Sequence, residues 1–371
     1  PAGPAPRGAG FPAGPRSGSM RGMSTAPVVR YPAPLVPGAT IAVTAPSAGV
    51  EAPCHRRLDI ALGHLRSLGF DVREGRCLRA SHLHVSAPPE ERAAELMDLL
   101  TDDGVAAVLP PWGGELLVEI LPLLDLDRLA RATPRWIVGF SDVSTLLLAV
   151  TLGCGWATAH GANLMDLVPG QDDPLSSRVL AHLGTPAGGS FEQRSSARWQ
   201  PRFRDFAEFP ESTFDLTEPT RWTALDGAPS HRFEGRLIGG CLDTVSRLAP
   251  SPHGDVPAFA RRAAADGVVV YLENCELPPL ELARALWSLR LAGWFEDARG
   301  ILLGRSTDPR AAKPGAYDQE HALRSAFAGL DVPVLCDADI GHLPPQMLLV
   351  NGALASVEYD EGAARVVQTL S

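Results

Sequence analysis

The stretch Trp136-Ile137-Val138-Gly139-Phe140-Ser141-Asp142-Val143-Ser144-Thr145-Leu146-Leu147-Leu148 decides the fold. It opens as a short apolar run of strand type, turns at Gly139-Phe140-Ser141-Asp142, and continues to Val150 as an apolar run of helical type. A serine at such a junction sits on a tight turn. Backbone N–H groups there point outward at a helix N-terminus, where an anion is favoured. That is the logic of a nucleophile elbow, although Gly-Phe-Ser-Asp lacks the second glycine of Gly-x-Ser-x-Gly. The competing reading is that Ser141 or Asp142 only caps the helix, and caps are the commoner feature.

The same strand, small-residue loop and helix recur on the N-terminal side. Thr40 to Thr44 reads as a buried strand, and Ala45-Pro46-Ser47-Ala48-Gly49 is its loop. A helix is predicted over 53–68, a strand from Phe70, and a helix from Pro88 to about Thr101 with acidic residues in its first turn. Val105 to Leu109 is a third strand, followed by Pro110-Pro111-Trp112-Gly113-Gly114 and helical periodicity over 115–124. Trp156 to Ala159 reads as a further strand with His160 in its loop, and a helix is predicted over about 173–182. Strands alternating with helices predict an α/β fold with a doubly wound parallel sheet. In such a sheet the loops after the strands share one edge, so Ser47, Gly114 and Ser141 are expected to converge.

Residues 184–232 break the pattern. Their aromatics, Trp199 and Trp222 among them, are mixed with charge and proline, which reads as a crossover or binding flap; a linker packing them on the surface is the plainer alternative. From Glu234 regularity returns. Gly235 to Asp243 leads into a helix, Gly267 to Leu272 is a buried strand ending at Glu273-Asn274, and a helix covers about 280–291. Further strands at 300–303 and 333–336, a helix near 319–327 and terminal β hairpins make a second α/β domain.

The 371 residues suit two domains with a large core. The plan is a disordered leader over 1–27, a nucleophile domain over 28–183, the aromatic segment over 184–232, and a C-terminal domain over 233–371. A net charge of −10 with no basic stripe argues against a nucleic-acid partner. No run of eighteen apolar residues exists, so no membrane span is expected. Cys54, Cys77, Cys154, Cys241, Cys275 and Cys336 are scattered without a Cys-x-x-Cys pair, which predicts a reducing, cytoplasmic setting rather than a disulfide framework.

Hydrolysis by a serine needs a nucleophile, a base, a group that orients the base, and donors for an oxyanion. Three strand ends supply Ser141, Glu273 and His342. Glu273 ends an apolar run, so its carboxylate is expected half buried and in want of a partner. A structural ion pair and a turn histidine are the plain alternatives for these two. Glu276 and His160 are rivals, the second read as structural or substrate-facing. His82-x-His84 has no further ligand at metal spacing and reads as a solvated loop.

The set of motifs, in order, resembles the LD-carboxypeptidase family of serine peptidases, which includes muramoyl-tetrapeptide carboxypeptidases and microcin C self-immunity peptidases. The resemblance runs from about Pro37 to Val357. It rests on Pro37-Gly38-x-Thr40-Ile41, Ala45-Pro46-Ser47, Gly113-Gly114 before Leu121-Pro122-x-Leu124-Asp125, and Gly139-Phe140-Ser141-Asp142. Gly235-Arg236-Leu237-x-Gly239-Gly240, Leu272-Glu273-Asn274 and Gly341-His342-x-x-Pro345 complete it. It implies a triad of Ser141, Glu273 and His342 and an oxyanion hole from the N–H groups of Asp142 and Gly114. It also implies a site between two α/β domains and usually a homodimer, and the hydrolase expected here uses no metal or cofactor.

Within the family, the form Gly-Arg-Leu-Ile-Gly-Gly-Cys-Leu and the aromatic segment look more like the microcin-immunity branch. Substrate contacts are then expected at Trp199, Trp222 and Gly113, the aromatics stacking on the nucleotide part of an aminoacyl-nucleotide. The competing expectation is a carboxypeptidase that removes the terminal D-Ala of a muropeptide tetrapeptide. A non-catalytic binding module on the same fold is the alternative from another class. Trp112 and Asn274-Cys275 depart from common family forms.

Overall fold

The computed structural model describes residues 28–307, 313 and 315–371. The leader expected over 1–27 lies outside the described residues. Two sheets organise the chain. The first has the order Leu349–Val350, Ala159–His160, Trp136–Gly139, Ala107–Val108, Thr40–Val43, Asp71–Glu74. Its last five strands are parallel, and Leu349–Val350 joins antiparallel at the edge. The parallel part has the doubly wound order in which the first strand lies inside the second.

Burial explains the local choices. Trp136–Gly139 is buried at every position, as strands covered on both faces must be. The following helix, Val143–Cys154, is apolar nearly all round and almost wholly buried. A helix without a polar face has to be enclosed. It packs against the strand Ser230–Cys241 and the helix Leu242–Leu248, so it lies where the two halves meet. Gly155 ends it in the left-handed conformation (φ 65°).

The second sheet runs Ser190–Arg194, Ala363–Thr369, Leu354–Asp360, Ser230–Cys241, Val268–Glu273, Ala298–Gly304, Val334–Ala338, Thr223–Ala224. The four strands from Ser230–Cys241 to Val334–Ala338 are parallel, and the outer ones antiparallel. Val268–Glu273 is buried throughout and pairs Glu273 with Cys241. Among the described residues, no helix is long and apolar enough to cross a membrane.

Three expectations change. The periodicity over 115–124 forms a 3-10 helix, Leu117–Leu123, because Pro122 withholds the N–H an α-helix would use. The helix expected over 173–182 splits into Pro174–Ser177 and Val179–Leu183. The segment 184–232 is more than a loop: Ser190–Arg194 and Thr223–Ala224 pair at opposite edges of the second sheet, and Arg198–Trp199 pairs with Glu218–Pro219. The two-residue strands leave no alternation to detect.

Candidate active site

The site is built at the C-terminal ends of parallel strands from both sheets. Ser141 follows Trp136–Gly139, Glu273 ends Val268–Glu273, and His342 follows Val334–Ala338. At the elbow, Ser141 takes φ 63°, in the left-handed region that few residues other than glycine adopt. Gly139 makes the close approach possible: a Cβ there would lie 2.6 Å from Asn163 Oδ1, which accepts the Phe140 N–H at 3.2 Å.

Asp142 gathers three loops. Its buried Oδ2 accepts the Ser47 hydroxyl at 2.6 Å and the Leu117 N–H at 2.8 Å, and Oδ1 accepts the Thr145 hydroxyl at 3.3 Å. The loops after three strands therefore do converge. Gly113 and Gly114 complete the contact. A Cβ on Gly113 would meet Ser141 Cβ at 2.8 Å and Asp142 N at 2.9 Å, and one on Gly114 would meet Ser47 Oγ at 2.3 Å. Among the described residues, the N–H groups of Gly114 and Asp142 donate to no protein acceptor.

Across the cleft, His342 Nδ1 lies 2.8 Å from Glu273 Oε2. The glutamate side chain is fully buried and that of the histidine 15% exposed. Burial alone would push the Glu273 carboxyl up, but the facing His342 outweighs it and holds the group below the usual carboxylate range. Burial pulls His342 down, yet Glu273 and a hydrogen bond that the ring donates to the Cys275 sulfur raise it well above an ordinary imidazole. Gly341 and Gly304 pack closely on the Glu273 side chain, since a Cβ on Gly341 would lie 2.5 Å from Oε2 and one on Gly304 2.9 Å from Cβ.

Ser141 and His342 line one cleft of about 310 Å³ with Trp112, Gly113, Gly114, Phe140, Met165, Asp166, Phe203 and Phe206. No hydrogen bond joins the Ser141 hydroxyl to the imidazole in this structure. Phe140, the residue before the serine, meets the His342 ring edge-on with centroids 4.8 Å apart. A larger cleft of about 410 Å³ lined by Thr223, Asp318, Arg324 and Asp337 lies apart from all three.

The loop carrying His342 is fixed from behind by Asp339. Arg305 Nη2 reaches it at 2.7 Å, Trp222 Nε1 at 2.8 Å and Ser196 N at 3.0 Å, with the Asp339 side chain fully buried. This corrects the expectation for Trp222, which is fully buried and spends its one donor on Asp339. It has no face left for a ligand. Trp199 is half-buried with the Arg305 guanidinium 5.5 Å above its ring and does not line the cleft. The aromatics that do are Trp112, Phe140, Phe203 and Phe206.

His160 is fully buried, with neither ring nitrogen hydrogen-bonded among the described residues, and burial pushes it down to about 4. It is therefore not substrate-facing. His82 and His84 sit in an exposed turn. Sequence reasoning missed Asp166, which lines the cleft, is pushed up to about 6 by burial and forms a capping box with Asn163. It also missed Cys241, whose thiol lies beside Glu273 and His342. The only signal for it was the Gly-Gly-Cys strand end.

Residues 41–161 match the family model described as the LD-carboxypeptidase N-terminal domain, and residues 234–357 match that of the LD-carboxypeptidase C-terminal domain. The chain belongs to the LD-carboxypeptidase family. A probable murein peptide carboxypeptidase of Bacillus subtilis is 28% identical over 336 residues, covering 90% of this chain and 93% of that protein. The microcin C7 self-immunity protein MccF of Escherichia coli is 24% identical over 336 residues, covering 88% and 93%. A solved structure of MccF in complex with glutamyl sulfamoyl guanosine superposes with a TM-score of 0.76 at 21% identity, covering 93% of this chain and all of that one. As an LD-carboxypeptidase family member the protein is a hydrolase of the serine-peptidase class, and the expectation of a non-catalytic module is set aside.

Proposed function

We propose that Ser141 is the nucleophile, His342 its general base and Glu273 the group that orients the imidazole. The observation that carries the reading is the buried Glu273–His342 pair opening on the cleft that also holds Ser141. Glu273 fixes the proton on Nδ1, which leaves Nε2 free to take the Ser141 proton. Ser141 Oγ attacks an amide carbonyl, and the carbonyl oxygen takes up negative charge against the free N–H groups of Asp142 and Gly114. The imidazolium returns its proton to the leaving amine. Water, activated by the same imidazole, then hydrolyses the acyl-enzyme.

The substrate we infer is a small aminoacyl conjugate with a neutral, flat leaving part of nucleoside type. The cleft walls are Pro111, Trp112, Phe140, Met165, Phe203 and Phe206, and among the described residues no Arg or Lys lines them. Such walls suit stacking on a base. A carboxypeptidase would be expected to offer a cation to the terminal carboxylate. MccF has been solved with an aminoacyl sulfamoyl nucleoside bound, which supports the same class. Side-by-side hydrolysis of an aminoacyl sulfamoyl adenosine and a muropeptide tetrapeptide tests the choice. Turnover of the first, abolished in Ser141→Ala, is expected, and D-Ala release alone would reverse it. We also carry the family's homodimer as a proposal, checked by sedimentation.

A further inference from the structure

We propose that the Glu273–His342 pair doubles as a binding site for a thiophilic divalent cation of the zinc class, with Cys241 as third ligand, and that the cation switches the hydrolase off. Cys241, Glu273 and His342 each bring one donor atom, and these atoms lie within 4.8 Å of one another. A thiolate, an imidazole and a carboxylate on one tetrahedral zinc stand about 3.5 Å apart, so closing the site takes side-chain shifts on the order of 1 Å. The strand pairing that sets Cys241 opposite Glu273 fixes two of the three ligands on the backbone.

A second observation points to a missing partner. Glu273 Oε2 serves His342, while Oε1 is buried and, among the described residues, has no N–H or O–H donor and only the Cys241 thiol beside it. The Cys241 thiol, a weak donor, is shared between Glu273 and Asp243 Oδ2, the latter at 3.6 Å. A buried carboxylate oxygen with only a thiol for donor is under-satisfied, and a cation removes that cost. Cys241 and Glu273 are each 1% exposed, so the ion would enter past the half-buried His342.

Coordination expels the thiol proton and the Nδ1 proton to solvent. A metal on Nδ1 leaves the neutral imidazole with its proton on Nε2, the atom that must accept the Ser141 proton. The cation is therefore an inhibitor and not a cofactor. This consequence rests on the roles proposed above for Ser141 and His342, whereas the site itself does not.

The test uses the full chain and two readouts. With Co2+ alone, the wild type is expected to show a near-ultraviolet thiolate-to-cobalt band that Cys241→Ser lacks. With a fluorophosphonate probe, both proteins should label at Ser141 without metal, and Zn2+ should protect the wild type. The Zn2+ concentration for half-protection should rise at least about tenfold in Cys241→Ser. Absence of the band in the wild type, or equal protection in both proteins, overturns the proposal. If metal-free wild type does not label, the Ser141 reading fails while the cobalt band still decides the cation site. Should Cys241→Ser lose its circular-dichroism signature, the wild-type band alone decides.

Discussion

The ring of Phe140 meets the ring of His342 edge-on, with centroids 4.8 Å apart and planes at 71°. One belongs to the elbow of the first sheet and the other to a loop of the second, so this contact holds the proposed base beside the proposed nucleophile. Phe140→Ala should let the imidazole drift. The expected result is a fall in kcat of about tenfold or more with little change in KM, and a stability loss of about 3 kcal/mol. Steady-state kinetics and chemical denaturation check both.

Ser141 separates chemistry from strain. Ser141→Ala should remove at least about a thousandfold of kcat. Ser141→Gly should do the same and also raise stability by about 1 kcal/mol, since glycine takes the positive φ freely. A higher melting temperature for Ser141→Gly than for Ser141→Ala is the outcome to look for.

Asp142 is a joint and not merely a cap. Asp142→Ala leaves the buried Ser47 hydroxyl and Leu117 N–H without their acceptor, so it should cost about 3 kcal/mol and lower kcat. Asp142→Asn, which keeps one oxygen, should lose less of each. Equal losses in the two variants would count against the joint.

The pH dependence follows from the raised His342. A base must be neutral, so kcat/KM should climb as pH rises through a value above the ordinary imidazole range. Glu273→Gln removes the charge that raises it and should move that inflection down in pH while cutting kcat. On the stability side the His342 part has the opposite sign and the Glu273 part the same sign. The pair's contribution from His342 is full below the unfolded imidazole value and is lost as pH rises through the folded one. That from Glu273, held low, is present above the unfolded carboxyl value and is lost as pH falls through the folded one.

Trp222 and Phe203 should part company. Trp222→Phe strips one donor from buried Asp339 and should cost about 1–3 kcal/mol with KM unchanged. Phe203→Ala, at an exposed edge of the cleft, should raise KM for an aminoacyl nucleoside about tenfold with little effect on stability. A raised KM in Trp222→Phe would restore the sequence expectation for that residue.

The alternation of strands and helices was readable because it is local: Trp136–Gly139 and Val268–Glu273 are apolar runs whose burial shows in their own composition. The convergence of the Ser47, Gly113-Gly114 and Ser141 loops was readable too, since a parallel sheet puts them on one edge. What escaped depends on distant partners. Trp222 looks exposed in a polar, proline-rich stretch, and only Asp339, 117 positions on, explains its burial. Cys241 carries no signal until register pairs it with Glu273. Thr223–Ala224 is a strand only because Leu335 and Cys336 pair with it.

The pairing of Leu349 and Val350 with His160 and Ala159 has a temporal consequence. Translation delivers the elbow some two hundred residues before the imidazole, and the rim beside it stays open until the segment just past His342 emerges and zips on. A half-made chain thus carries the proposed nucleophile without its proposed base. On the roles proposed for Ser141 and His342, hydrolytic competence arrives only with the closing event that completes the architecture.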